Sequence, residues 1–568
     1  MAKKTVKIDF GEARLARLAD KAYNEGKFIP ALRFAYQELN KFGKNGEVFT
    51  RLADIYEAMG LHDSAIRCWY GYLDIATDDE LPDIYEGLAV NYLNMGKEAQ
   101  SAFYYNRLID ADATITEEMK MDIAEAFSTD RKKKFRFVYP PELADYSKEL
   151  EAGSLALKAG NCDRAIEMFS TVVHGAKGYA QAKELQAVAL LLKGEAKEGE
   201  QVCLELLKEE PQNVRVLATL AAIYMEQGRK EESKEIALSL CQLPCKDSEE
   251  LYKVATVCCE NGLHKQAFDR FCQLETKMSG DGRVLYFKGV SAYLCEDYEQ
   301  AEKAFCDLCT IYPDAEVGKF YLRALRAREQ ESLPTPSYFY CLPQEEREMR
   351  CRALLQIGKM AKTEAELLFF VGNYEEYLRW CFDEMDGADH DLQYLALATA
   401  VHVGADAFLF EIMLNHEVFD PLKVETFRML LERNEDLDFG VVLCHVYRKI
   451  RLFKITLGKK RRKRFLSAYA KIASRFVGLG EGYSKKIKWT TEKLYRSLLE
   501  NEALDLVDNT DDLCCAIFLS TGFKELGTDK AQIANALDAK IEKVQEILNA
   551  AKGEKTYNKT EEKENKVE

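Results

Sequence analysis

The chain has 568 residues, room for two to four domain-sized units and a sizeable buried core. It is 47% hydrophobic and 31% charged with a net charge of −16, the balance of a soluble globular protein, and its 11 prolines leave helix favoured over turn-rich sheet. No apolar stretch approaches the roughly 18 to 20 residues that a bilayer span needs, and no long apolar segment follows Met1–Phe10 as in a secretory signal, so the expected compartment is cytoplasmic.

A ladder of glycines runs through the first 300 residues. Gly26 and Gly60 are 34 residues apart, and Gly160, Gly194, Gly228 and Gly262 follow one another at the same interval. Gly96 belongs to the set, and Glu296 stands in its register. Seven residues before each register point sits a minimal residue: Ala19, Ala53, Ala89, Gly153, Ala187, Ala221, Ala255 and Gly289. Five after it comes another: Ala31, Ala65, Ser101, Ala165, Gly199, Ser233, Ala267 and Ala301. Nine after it stand Trp69, Tyr105, Phe169, Phe271 and Phe305, and seventeen after it Pro211 and Pro313, where a helix has to stop. The pattern predicts a helix, a tight turn, a second helix and a break.

These residues at this period resemble the tetratricopeptide repeat (TPR) family over roughly residues 10–112 and 146–330. The resemblance implies an all-α fold, an α-solenoid of stacked helical hairpins (a TPR-like superhelix) followed by an irregular all-helical C-terminal region. Ala35, Cys203 and Ala237 replace the family's usual aromatic, which predicts thinner interfaces there.

In chain order the reading is a first TPR array of three repeats at 1–112, and a degenerate helix with a Pro-containing connector at 113–143. A second array of five repeats follows at 144–330, then a Pro/aromatic strap at 331–345. Degenerate helical repeats fill 346–552, and the tail 553–568 is too polar to repay its ordering and is expected to be disordered. The run Arg131–Arg136 in the connector reads as solvated linker or as a ligand site. Ala365 and Gly372 are the last traces of the register, which fails at Leu397 and Gly404.

In the family the first helix of each hairpin lines a concave groove, which picks out the residues able to meet a partner. In the first array these include Asp20, Tyr23, Asn24, Thr50, Asp54, Glu57, Asp83 and Glu86, an acidic set suited to a basic or neutral segment. In the second they include Leu150, Val188, Ala222, Met225, Tyr252, Cys259, Tyr286, Val290 and Tyr293. Tyrosine and methionine are enriched at interface cores, but the same residues also serve internal burial against the chain's own segments.

Residues 448–496 carry seventeen Lys or Arg against two Glu, a local +15 within the net −16. The densest part is Lys459, Lys460, Arg461, Arg462, Lys463 and Arg464. Cations near Phe465, Tyr469, Tyr483 and Trp489 suit nucleic acid or another polyanion; a solvated face, or pairing with acidic groups of the chain, accounts for them equally. Gly478–Lys486 lacks the spacing and strand context of a phosphate loop and reads as a turn between helices. Gln532–Leu548 has the outline of a helix-turn-helix, with Asp538 at the turn, but Glu542 and Glu546 on its second helix oppose DNA reading.

Seventeen cysteines spread along so long a chain read as reduced thiols in helix interfaces, and Cys306–Cys309 has no second knuckle to complete a zinc site. The seven histidines are scattered, without metal-ligand or catalytic spacing. The reading is therefore a non-enzymatic scaffold or adaptor for other proteins, with no cofactor, no metal, no catalytic residues and no membrane insertion. A nucleic-acid-associated regulator using 448–496 is the alternative, and an enzyme with an unrecognised site the third.

Overall fold

The register glycines close helices. Gly26, Gly60, Gly96, Gly160, Gly194, Gly228 and Gly262 all have φ between 67° and 89°, the left-handed conformation that lets a chain leave one helix and enter the next within two residues. The computed structural model describes residues 10–111, 145–327, 334–360, 374–383, 389–523 and 529–553, with isolated positions between them. The expected degenerate helix at 113–130 lies outside these apart from single positions, as do the connector 131–143, the Ala365/Gly372 register and the tail from 554.

Within the described residues three hairpins make up the first array: α1 (Phe10–Asn24) with α2 (Phe28–Phe42), α3 (Gly46–Ala58) with α4 (His62–Ile75), and α5 (Leu81–Asn94) with α6 (Glu98–Ala111). Five follow in the second array: α7 (Ser147–Lys158) with α8 (Cys162–Ser170), α9 (Tyr179–Lys193) with α10 (Ala196–Glu209), α11 (Val214–Glu226) with α12 (Lys230–Leu240), α13 (Ser248–Glu260) with α14 (His264–Lys277), and α15 (Gly282–Leu294) with α16 (Tyr298–Ile311). The helix α17 (Glu316–Ala327) succeeds them.

The small-residue rule has a direct physical cause. Ser101 Oγ donates to the carbonyl of Ala89 at 2.7 Å, and Ser233 Oγ to that of Ala221 at 2.9 Å. A Cβ on Gly199 would stand 3.1 Å from the carbonyl of Ala187. The residue five after each register point thus abuts the backbone of the residue seven before it, and a larger side chain would wedge the hairpin open. The aromatic packs into the same tight space: Cβ atoms on Gly153 and Gly289 would meet the rings of Phe169 and Phe305 at 2.5 and 2.9 Å. Ala35, Cys203 and Ala237, where the aromatic is missing, are nonetheless fully buried.

The chain divides into two units, and the division does not follow chain order. The described parts of Met1–Phe127, Glu345–Phe382 and Gly387–Glu568 form one, and those of Ser128–Gln344 with Asp383–Asp386 form the other. The first array therefore shares its unit with the C-terminal region.

That region is helical: α18 (Gln344–Met360), α19 (Tyr374–Trp380), α20 (His390–Val403), α21 (Asp406–Leu414), α22 (Asp420–Arg433), then α23 (Arg462–Phe476), α24 (Glu481–Glu500), α25 (Thr510–Thr521), α26 (Lys530–Ala536) and α27 (Ile541–Ala551). Between α22 and α23 it departs from the all-helical expectation. An antiparallel hairpin pairs β1 (Leu437–Leu443) with β2 (Val446–Leu452), so the basic segment begins on a strand. Cys444 and His445 at its tip both have positive φ (51° and 59°), the pair a two-residue turn demands. Asn434 closes its base, accepting from the amide of Ile455 at 2.8 Å and donating to that residue's carbonyl at 3.1 Å.

The hairpin tip docks on the first array. Tyr70 of α4 and Tyr104 of α6 both donate to the carbonyl of His445, at 2.8 and 3.0 Å, and Tyr447 donates to Asp74 at 3.1 Å. His416 Nε2 stands 3.3 Å from the Asp63 carboxylate. A ring of buried tyrosines, Tyr70, Tyr92 and Tyr104, surrounds the docked turn.

Candidate functional site

Of the residues expected on the acidic face of the first array, Asp20, Tyr23, Thr50 and Asp54 line a cleft of about 340 Å³ between α1 and α3. Asp20, Tyr23, Glu47, Thr50, Arg51 and Asp54 line it, and Tyr72 of α4 closes one end. Gly46 is required there, since a Cβ would lie 2.4 Å from the Tyr72 ring. The hairpin docks on α4 and α6, and Asp54, Asn24 and Glu86 remain exposed.

Arg51 organises the carboxylates without neutralising all of them. Its guanidinium pairs with Asp20 at 2.7 Å and with the buried Glu38 at 3.0 Å, so its charge is largely taken up by those two. Asp54 is left with its carboxyl pushed above the usual range, first by burial, then by the neighbouring charge of Glu57, against the opposing pull of Arg51. A cationic group placed in the cleft would relieve that strain. Sequence reasoning missed Arg51 and Tyr72; the only signal for Arg51 was a cation three positions before Asp54 on the same helix.

Two of the other predicted residues serve the fold or lie beyond the cleft. Glu57 accepts from Trp69 Nε1 at 3.0 Å and from Asn91 at 2.6 Å, which ties adjacent repeats together, and it does not line the cleft. Glu86 is exposed on α5, outside the residues lining the cleft.

Around Tyr286 the second set of residues is covered by the chain itself. The segment 334–343 packs against His264 of α14, Tyr286 of α15 and Tyr321 of α17. Tyr286 donates to the carbonyls of Ser337 and Phe339 at 3.1 and 3.0 Å and is fully buried. Tyr338 packs its hydroxyl 3.0 Å from His264 Nδ1, and Tyr340 donates to Asp383 at 2.9 Å. As a partner-binding residue Tyr286 is corrected: the strap covers it. Tyr252 and Met225 are half-buried, and Tyr293 is half-buried against Tyr298 with ring centroids 5.5 Å apart.

The basic hexamer is divided. Lys460 pairs with Asp505 at 2.9 Å, Arg461 reaches the same carboxylate at 3.6 Å, and Arg464 donates to the carbonyl of Val507 at 2.7 Å. Lys459, Arg462 and Lys463 stay exposed. The helix-turn-helix outline resolves into α26 and α27 with Asp538 left-handed at the turn (φ 56°), and its apolar residues Ala534, Leu537, Val544 and Ile547 are buried.

Among the described residues one group has metal-ligand character: Asp63, His416 and Glu417, with ligand atoms within 4.8 Å of one another. The Arg67 guanidinium 3.9 Å from Glu417 supplies positive charge where a metal ion would sit. No helix among the described residues is long and apolar enough to cross a membrane.

A family model described as "Tetratricopeptide repeat" matches residues 150–214. No curated protein matches the sequence. Among solved structures, YrrB, a TPR protein with an unusual peptide-binding site, aligns at 17% identity over 33% of this chain and 92% of its own, with a TM-score of 0.24. The human IFIT1 dimer with PPP-AAAA aligns at 13% over 74% and 92%, with a TM-score of 0.26. Naa15/Naa10 bound to HypK-THB aligns at 14% over 96% and 78%, with a TM-score of 0.25. The family match falls on the 34-residue ladder, whose left-handed glycines and small-residue contacts recur through both arrays. Residues 150–214 are thus matched as tetratricopeptide repeat, and the rest of both arrays keeps the same register.

Proposed function

We propose that the protein is a non-enzymatic scaffold that grips an extended, cation-bearing segment of another protein in the groove of its first array. The observation that carries this is the state of the two grooves. The second is covered at Tyr286 by the strap, whereas the first is an open cleft whose Asp54 carboxylate lacks a full counter-charge. A lysine or arginine entering beside Asp20 and Asp54, with its stem against Tyr23 and Tyr72, satisfies both the charge and the aromatic walls. A cytoplasmic setting suits the seventeen free thiols.

Fluorescence polarisation with labelled Lys- and Arg-containing peptides, against Glu-containing peptides of the same length, tests the reading. Cation-bearing peptides should bind, and Asp54→Lys should weaken them at least tenfold while the thermal melt stays in place. Equal affinity for acidic peptides, or binding that Asp54→Lys leaves untouched, would remove this groove as the partner site.

A further inference from the structure

A second gathering of basic side chains lies beyond the hexamer, where β2 meets α24. Three cations converge on one aromatic ring: Arg451, Lys485 and Lys488 stand 5.4, 5.7 and 5.8 Å from the centroid of Phe453. Phe453 is buried, so the ring fixes the cations from beneath and leaves their charge turned to solvent. The carboxylates nearby cancel it only in part. Glu481 pairs with Lys485 at 2.8 Å, and Glu492 is committed to the amide of Thr456 at 2.8 Å. On the same face of α24, one turn after Lys485, Trp489 is 57% exposed, with Lys493 over its ring at 4.7 Å. Trp489 thus keeps most of its ring in water, and the three cations around Phe453 outnumber the one carboxylate paired with them.

We infer that this face binds single-stranded nucleic acid, with Arg451, Lys485 and Lys488 on successive phosphates and Trp489 stacking a base. The single strand follows from the exposed indole: a base in a duplex has no free face to offer it, whereas every unpaired base does. An anionic membrane is the poorer fit, because the exposed face of α24 around Trp489 carries cations rather than the apolar stripe that inserts among acyl chains. The inference is independent of the first-array groove, which lies on other helices.

The three tryptophans make the test internal. Trp69 and Trp380 are 6% and 2% exposed, so quenching of intrinsic fluorescence by a ligand reports on Trp489. Titrating the full chain with a labelled oligo(U), followed by anisotropy and by tryptophan emission, should show binding with quenching at low salt. Its salt dependence should correspond to about three phosphates, a log–log slope near −2, from about 0.7 per phosphate. Lys485→Glu with Lys488→Glu should weaken binding at least tenfold; Trp489→Phe should abolish the quench yet retain binding, and Trp489→Ala should lose about fivefold or more. Unchanged melting of each variant separates these losses from misfolding. No anisotropy change at low salt, equal binding by the double Glu variant, or equally tight binding of duplex, heparin or anionic vesicles with the same quench would overturn the inference.

Discussion

The hydroxyl of Tyr286 donates to the backbone carbonyl of Phe339 at 3.0 Å, across 53 residues of chain. That bond, with its companion to Ser337, holds the 334–343 strap on the inner face of α15. Tyr286→Phe keeps the ring and deletes only the donor, leaving two carbonyls to find water. It should cost about 1 kcal/mol, the net worth of such a bond. Limited proteolysis is the sharper readout: cleavage between Pro334 and Pro343 should accelerate in the variant, and an unchanged cleavage rate would show that the strap is held by its other contacts.

The docked hairpin makes the first unit acid-sensitive. Burial holds both His416 and His445 below the usual imidazole pKa, with Arg67 and Lys97 adding to it respectively, while Asp63 pulls His416 the other way. His416 Nδ1 is buried without a hydrogen-bond partner, so protonating it there gains nothing. As pH falls below about 6.5 the unfolded chain takes up these protons first. The stability tied to the neutral rings is therefore complete above that pH and declines beneath it, by up to about 1.4 kcal/mol per pH unit for each proton. The Asp63 carboxyl, held below its ordinary range by His416 although burial alone would raise it, adds a separate loss at lower pH. Melts at pH 7.5 and 5.5 should differ, and His416→Phe should flatten that difference whatever it does to the melting temperature itself. A slope untouched by the substitution would assign the acid response to other groups.

The fold brings Cys241 and Cys258 together, with sulfurs 3.3 Å apart just past the end of α12 and within α13. Hydrogen bonding from Cys258 holds the Cys241 thiol below the ordinary thiol range, against its burial and with help from Arg270. A thiolate next to a thiol is the starting point for a disulfide when an oxidant takes up the two electrons. Brief treatment with diamide should remove two thiols from an Ellman titration of the folded chain, and peptide mapping should find Cys241 joined to Cys258. In Cys258→Ser that linkage disappears; if two thiols are still lost at the same rate, another pair is the reactive one.

Much of the fold was legible because the repeat imposes one steric rule eight times over. The spacing of Ala53, Gly60 and Ala65 encodes a close helix contact that any reader of sequence can count. The β-hairpin was not legible on those terms. Val446–Leu452 does alternate, with Ile450 and Leu452 buried and Lys449 and Arg451 exposed, but its turn residues are Cys444 and His445 rather than Asn-Gly, and β1 is buried on both faces. The acidic groove was legible as a set of positions, since Asp20, Tyr23, Thr50 and Asp54 do share a cleft. Which carboxylates stay available was not, because Glu57 is claimed by Trp69 and Asn91 from neighbouring helices, a long-range fact without a local trace. Similarly, the hexamer at 459–464 drew the eye by density, while Arg451, Lys485 and Lys488, far apart in sequence, meet around Phe453.

The glycine register offers a test of the steric rule from both sides at one repeat. Glu296 holds the left-handed turn at φ 62° with a Cβ that the register glycines lack, and it is exposed, so its side chain has no packing to lose. Glu296→Gly should stabilise the protein by removing about 1 kcal/mol of backbone strain, less the entropy a glycine adds to the unfolded chain. Seven residues earlier, Gly289 lies under the Phe305 ring, where a Cβ would come within 2.9 Å of buried aromatic carbon. Alanine is favoured over glycine in a helix by about 1 kcal/mol, but forcing Phe305 out of a fully buried position costs typically 1–3 kcal/mol, so Gly289→Ala should destabilise on balance. Denaturant melts of the two variants should move in opposite directions. If Gly289→Ala were stabilising, the close contact with Phe305 would be slack rather than the constraint that sets the spacing of the hairpin.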